Sequence, residues 1–73
     1  MSSLPRVSGR ETVAALTKIG FIVRRTHGSH IILRRDTPFS QTVVPDHKEL
    51  DSGTLLSILR HVGINGDDFR NLL

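Results

Sequence analysis

The stretch of this 73-residue chain best suited to chemistry is Gly28-Ser29-His30, which leads into the apolar run Ile31-Ile32-Leu33. Arg24, Arg25, Arg34 and Arg35 lie close by in sequence. An imidazole gains and loses a proton near neutral pH, and fixed guanidinium charges beside it attract anions. Together they suit a phosphate-bearing substrate, with RNA the natural candidate. RNA carries its own nucleophile, the 2′-OH next to each phosphate. Its cleavage needs a base for that hydroxyl, in-line geometry, and positive charge to stabilise the phosphorane. His30 is the candidate base, and Arg24 or Arg34 are candidates to hold the scissile phosphate.

Three other histidines are present. His27 and His47 are accessory candidates, because acid and base roles can be split between two imidazoles. His61 falls late in a predicted helix, where a cation suits the negative end of the helix dipole. The spacing of His27, His30 and His47 with Asp46 matches no established metal motif, so neither a metal centre nor any other cofactor is expected. No phosphate-cradling glycine loop, nucleophile elbow or paired-carboxylate arrangement is present.

Charge is unevenly distributed along the chain. Residues 1–35 carry seven basic side chains against Glu11 alone, a net +6, whereas residues 36–73 carry three against six acids, a net −3. Eight of the ten basic residues are arginine, whose planar fork matches phosphate oxygens. The absence of cysteine excludes disulfides and thiolate metal sites. Met1-Ser2-Ser3-Leu4-Pro5-Arg6 has no apolar leader pattern, and no apolar run approaches membrane-spanning length. A single domain over residues 1–73, soluble, cytoplasmic and without a membrane partner, is expected.

The elements that must position His30 follow from caps and periodicity. Ser8 and Glu11 have capping-box spacing, and Val13, Leu16 and Ile19 supply an apolar stripe, so a helix is predicted over about 9–19 with Gly20 past its end. Strands are predicted over 21–25, 29–34 and 41–44, the last stopped by Pro45. Thr26-His27-Gly28 fits a three-residue hairpin loop, which sets Arg25 against Ser29, Arg24 against His30 and Val23 against Ile31. In that register Phe21, Val23, Ile31 and Leu33 face the core. Ile22, Arg24, His30, Ile32 and Arg34 face outward, whereas a two-residue loop is expected to turn His30 inward. Asp51 is the expected N-cap of a second helix that ends at Gly63, and Asn65 caps a last short helix stapled by Ile64 and Phe69. The expected fold is α+β, an α-β-β-β-α sandwich with helices on one face of a three-stranded antiparallel sheet.

This pattern resembles the HicA family of bacterial and archaeal toxins. The matching pieces run from Leu4-Pro5-Arg6-Val7-Ser8-Gly9 through Leu16, Gly20-Phe21, Gly28-Ser29-His30, Val44-Pro45 and His47. They continue through Gly53-Thr54-Leu55 and Ile58-Leu59 to the Gly63 segment and Phe69. The resemblance implies a double-stranded-RNA-binding-domain-like fold and a toxin that cleaves mRNA, held in check by a HicB-type antitoxin. It also implies that His30 is catalytic, with Gly28 and Ser29 in the catalytic loop. Double-stranded-RNA-binding domains usually start their last helix with a lysine cluster, whereas this chain has Asp51-Ser52-Gly53-Thr54. RNA contact is therefore expected from the strands and first helix, through Lys18, Arg24, Arg25, Arg34 and Arg35. An antitoxin is expected to cover Ile22, Arg24, His30 and Ile32. The competing readings are a non-catalytic module that blocks translation by occupying RNA, and a protein-interaction domain working through Ile22 and Ile32.

Overall fold

The computed structural model describes residues 4–73. Met1-Ser2-Ser3, part of the segment read for a leader, lie outside the described residues. The elements run α1 (Gly9–Thr17), β1 (Ile22–His27), β2 (His30–Asp36), β3 (Phe39–Pro45), α2 (Ser52–Val62) and α3 (Gly66–Leu72). The strands form one antiparallel sheet in the order β1-β2-β3. Both of the longer helices, α1 and α2, pack on β3, which leaves the other face of the sheet open. This is the expected α+β arrangement. No helix among the described residues is long and apolar enough to cross a membrane.

The caps form as their residue types require. Ser8 Oγ accepts the Glu11 N–H at 3.0 Å, and Glu11 Oε1 accepts the Ser8 N–H at 2.8 Å. Asp51 caps α2 through both the N–H and the hydroxyl of Thr54. Gly63, with φ of +80°, supplies the left-handed residue that ends the helix. Asn65 caps α3 by accepting the Asp68 N–H at 2.8 Å. Leu16, Phe21, Leu33, Val44, Leu55, Ile58, Leu59 and Phe69 form the centre of the core between helices and sheet. The α1 N-terminus is held against the end of β3, where the Gly9 N–H donates to the His47 carbonyl at 2.9 Å. A Cβ at Gly9 would run into the Pro45 carbonyl, so only glycine allows this approach.

The hairpin between β1 and β2 differs from the sequence expectation. Its loop is the two residues Gly28-Ser29, and His27 pairs with His30, Thr26 with Ile31 and Arg25 with Ile32. Gly28 has φ of +60° and Ser29 a negative φ, the sign pattern of a type II′ turn, whose twist matches that of the strands. The extra residue sits in the strand instead: Arg24 is a bulge, and beyond it Val23 pairs with Leu33 and Ile22 with Arg34. The expected pairing of Arg24 with His30 is thus replaced by His27 with His30. Ser29 is an exposed loop residue and not the first, inward-facing residue of the strand. A shorter loop and a bulge are each worth one residue and offset one another, which is why His30 still points outward.

Val23 is the second departure. It shares the inward row with Leu33, yet it remains 42% exposed, because the helices cover β2 and β3 but not β1. Only Phe21, just before the strand, reaches the core from this edge.

Candidate active site on the open sheet face

Alternation along β2 sorts the side chains. Ile31 and Leu33 are buried, whereas His30, Ile32 and Arg34 belong to the open face. Pairing carries that face across the sheet as three successive rows. His27, His30 and Pro45 form the first, Arg25, Ile32 and Val43 the second, and Ile22, Arg34 and Gln41 the third. Successive rows are about 7 Å apart along the strands. His27 and His30 are exposed, and their imidazoles make no hydrogen bond or ion pair with the described residues. Directly opposed residues place their Cβ atoms about 4.5–5.5 Å apart, so the two imidazoles spring from neighbouring positions at the tip of the hairpin.

Next to this pair, Arg24, Arg25, Ile32, Arg34 and Gln41 line one shallow depression. In a regular strand Arg24 and Arg25 would point to opposite faces. The bulge at Arg24 brings both to the same depression, and sheet bulges commonly re-aim a side chain in this way. Arg24 and Arg25 have no carboxylate partner among the described residues, while Arg34 is held by Asp36 at 2.9 Å. Three guanidinium groups around one concavity have the chemistry to hold an anion, each able to present a fork of donors to phosphate oxygens.

The hairpin tip is tied down from the third strand. Asp46, just past β3, donates its N–H to the Ser29 carbonyl at 2.6 Å. Its carboxylate is gripped by Arg10 at the start of α1, with N–O distances of 3.1 and 3.3 Å. The Arg10 hydrogen bond holds the Asp46 carboxyl below its ordinary range, helped by the charges of Arg10 and His47. This clamp joins α1, β3 and the Gly28-Ser29 loop, and neither Arg10 nor Asp46 was among the site residues expected from sequence. The signal for it is long-range, since the two are far apart in sequence with no local pattern between them.

The remaining sequence candidates lie elsewhere. Arg35 belongs to the inward row; its guanidinium stacks on Phe21 at 4.7 Å and donates to the Pro38 and Ile19 carbonyls. Lys18 Nζ donates to the Leu72 carbonyl at 2.7 Å on the helical side of the molecule. Both side chains thus brace the helix layer and lie apart from the depression lined by Arg24, Arg25 and Arg34. His47 lines a separate depression with Ser8, Arg10, Asp46 and Lys48. The His61 ring lies 3.3 Å from the Thr42 hydroxyl, and its carbonyl accepts from Ser40, fastening α2 to β3. Ile22 is 60% exposed on the open face, and Ile32 is half-buried. Among the described residues, no three His, Asp or Glu side chains converge as a metal-binding group.

Residues 9–64, most of the chain, match the family model for the HicA toxin of bacterial toxin–antitoxin systems. The matched segment spans α1, the whole sheet with its Gly28-Ser29-His30 turn, and α2. No curated protein matches the chain.

Proposed function

This chain belongs to the HicA family of bacterial toxins, and from that premise we propose that it is an endoribonuclease that cleaves mRNA in the cytoplasm without a metal ion. The observation that carries the reading is the placement of His30. It is exposed, its imidazole has no hydrogen-bond or ion-pair partner among the described residues, and it lies one row from the depression lined by Arg24, Arg25 and Arg34. A single strand laid along the open face puts a backbone phosphate among the arginines and a neighbouring ribose at the hairpin tip. His30 takes the 2′-OH proton, the oxygen attacks phosphorus, and the bond to the 5′-oxygen breaks. General-base catalysis of this kind contributes about 10²–10⁴-fold. Gly28 and Ser29 form the turn that fixes the histidine, and the Arg10–Asp46 clamp holds the turn.

The same face is the proposed seat of a HicB-type antitoxin. Ile22 and Ile32 offer apolar area beside Arg24 and His30, so a partner presenting acidic side chains would bury the catalytic row and neutralise the arginines.

Incubating the purified chain and His30→Ala with defined RNAs in EDTA tests the reading. Cleavage by the first alone, leaving a 2′,3′-cyclic phosphate, is the expected result. Growth inhibition that survives His30→Ala but is lost in Arg24→Ala would instead favour a module that blocks translation by occupying RNA.

A further inference from the structure

Attack by the 2′-oxygen leaves the departing 5′-oxygen in need of a proton. We propose that His27 is the general acid of this site, the partner of His30 in one catalytic row. The inference rests on the ribonuclease reading above and assigns a residue that reading does not require.

Gly28-Ser29 is a two-residue loop, so the residues that bracket it must face each other across the hairpin, and both are histidine. His30 belongs to the open face because Ile31 and Leu33 are buried, and a directly opposed residue shares that face. The third member of the row is Pro45, which has no proton to give. Of the three strands, only β1 therefore sets a second proton carrier directly beside His30. His47 and Lys48 follow the end of β3 and open into the other depression. The charged groups on the face the pair shares are Arg24 and Arg25 on β1 and Arg34 on β2; past β3, Asp46 is paired with Arg10.

Chemistry fits this geometry. The attacking and leaving oxygens occupy opposite sides of one phosphorus, so base and acid must approach it from two directions. Two imidazoles on adjacent strands, with Cβ atoms about 5 Å apart, can each reach one of these oxygens. An imidazole can accept or donate a proton in general acid–base catalysis, so one ring can serve as the base and the other as the acid. In the step, the O2′–H bond breaks and its proton passes to His30. The O2′–P bond forms, the P–O5′ bond breaks, and the His27 proton passes to O5′. The products are a 2′,3′-cyclic phosphate and a 5′-hydroxyl. His30 ends protonated and His27 neutral, and exchange of a proton with water resets the pair.

The test compares wild type, His27→Ala, His27→Gln and His30→Ala on two RNAs that differ at one linkage. One has the natural 5′-oxygen at that linkage; the other has a bridging 5′-sulfur, which departs as a thiolate without needing a proton. Loss of a general acid lowers cleavage of the oxygen linkage by about 10²–10⁴-fold. The proposal expects both His27 variants to show that loss, with near wild-type cleavage at sulfur, while His30→Ala fails on both linkages. Equal loss on both linkages would overturn the assignment and make His27 a binding or positioning residue. Unchanged cleavage of the oxygen linkage in His27→Ala would also overturn it. Failure of wild type to cleave either RNA would bring down the ribonuclease reading itself, a result distinct from the other two.

Discussion

Removing Arg24 and Arg25 together isolates the electrostatic part of the site. Both guanidiniums face the depression because of the bulge, and neither has an ion-pair partner among the described residues. Each is therefore free to displace a counterion from RNA, and for single strands each phosphate so neutralised contributes about −0.7 to the slope of log affinity against log salt. Arg24→Ala/Arg25→Ala should make that slope shallower by about 1.4. Between 50 and 200 mM salt, a fourfold change, this amounts to about a sevenfold smaller loss of affinity than in wild type. Arg34→Ala should change the slope less, because Asp36 already shares its charge. The assay is fluorescence anisotropy with a short 2′-O-methyl RNA, which lacks the nucleophile and cannot be cut. Arg60→Ala, on the exposed surface of α2, serves as the control and should leave the slope unchanged. A slope in the double variant equal to that of wild type would refute the claim that this depression holds the RNA backbone.

Three further outcomes follow from the fold. Gly9→Ala should destabilise the chain by about 1–3 kcal/mol in urea unfolding, because its methyl group must displace the Pro45 backbone. Gly28→Ala, which meets no neighbouring atom, should cost about 1–2 kcal/mol from its φ of +60° alone, and RNA cleavage should fall as the histidine row loses its fixed turn. Asp46 and Asp51 both titrate below the ordinary carboxylate range, held there by hydrogen bonds from Arg10 and Thr54 respectively. Their lowered values add stability at neutral pH that is lost as acid protonates them. Unfolding midpoints should hold above about pH 5 and fall below about pH 4. Asp51→Asn, which keeps an acceptor for the cap, should remove part of that fall.

The elements and their caps were legible in the sequence because each is a local device. Ser8 with Glu11, Asp51 with Thr54 and Asn65 with Asp68 act across three residues, and Gly63 needs only its own φ. The hairpin register was not legible. A three-residue loop with regular pairing and a two-residue loop with a bulge both leave His30 outward, and they differ only in which residue faces it. Gly28 decided the matter by taking the first position of a type II′ turn, where its positive φ costs little. Arg35 illustrates a second kind of blindness. Its place beside Arg34 suggested a shared role, but alternation turned it inward, onto Phe21. Burial of Val23 was expected from its alternation with Ile22, yet alternation says only which way a side chain points. Whether a helix lies there to cover it is a tertiary fact, and none covers β1.

The central claim is that the open face of this sheet cuts RNA through His30. The most direct measurement follows a single-stranded RNA with one ribonucleotide linkage in an otherwise 2′-O-methyl chain, incubated in EDTA with wild type or His30→Ala. The account predicts a cut at that linkage by wild type only, with a 2′,3′-cyclic phosphate on one product and a 5′-hydroxyl on the other. Cutting by His30→Ala at the wild-type rate, or wild-type products ending in a 5′-phosphate, would contradict it.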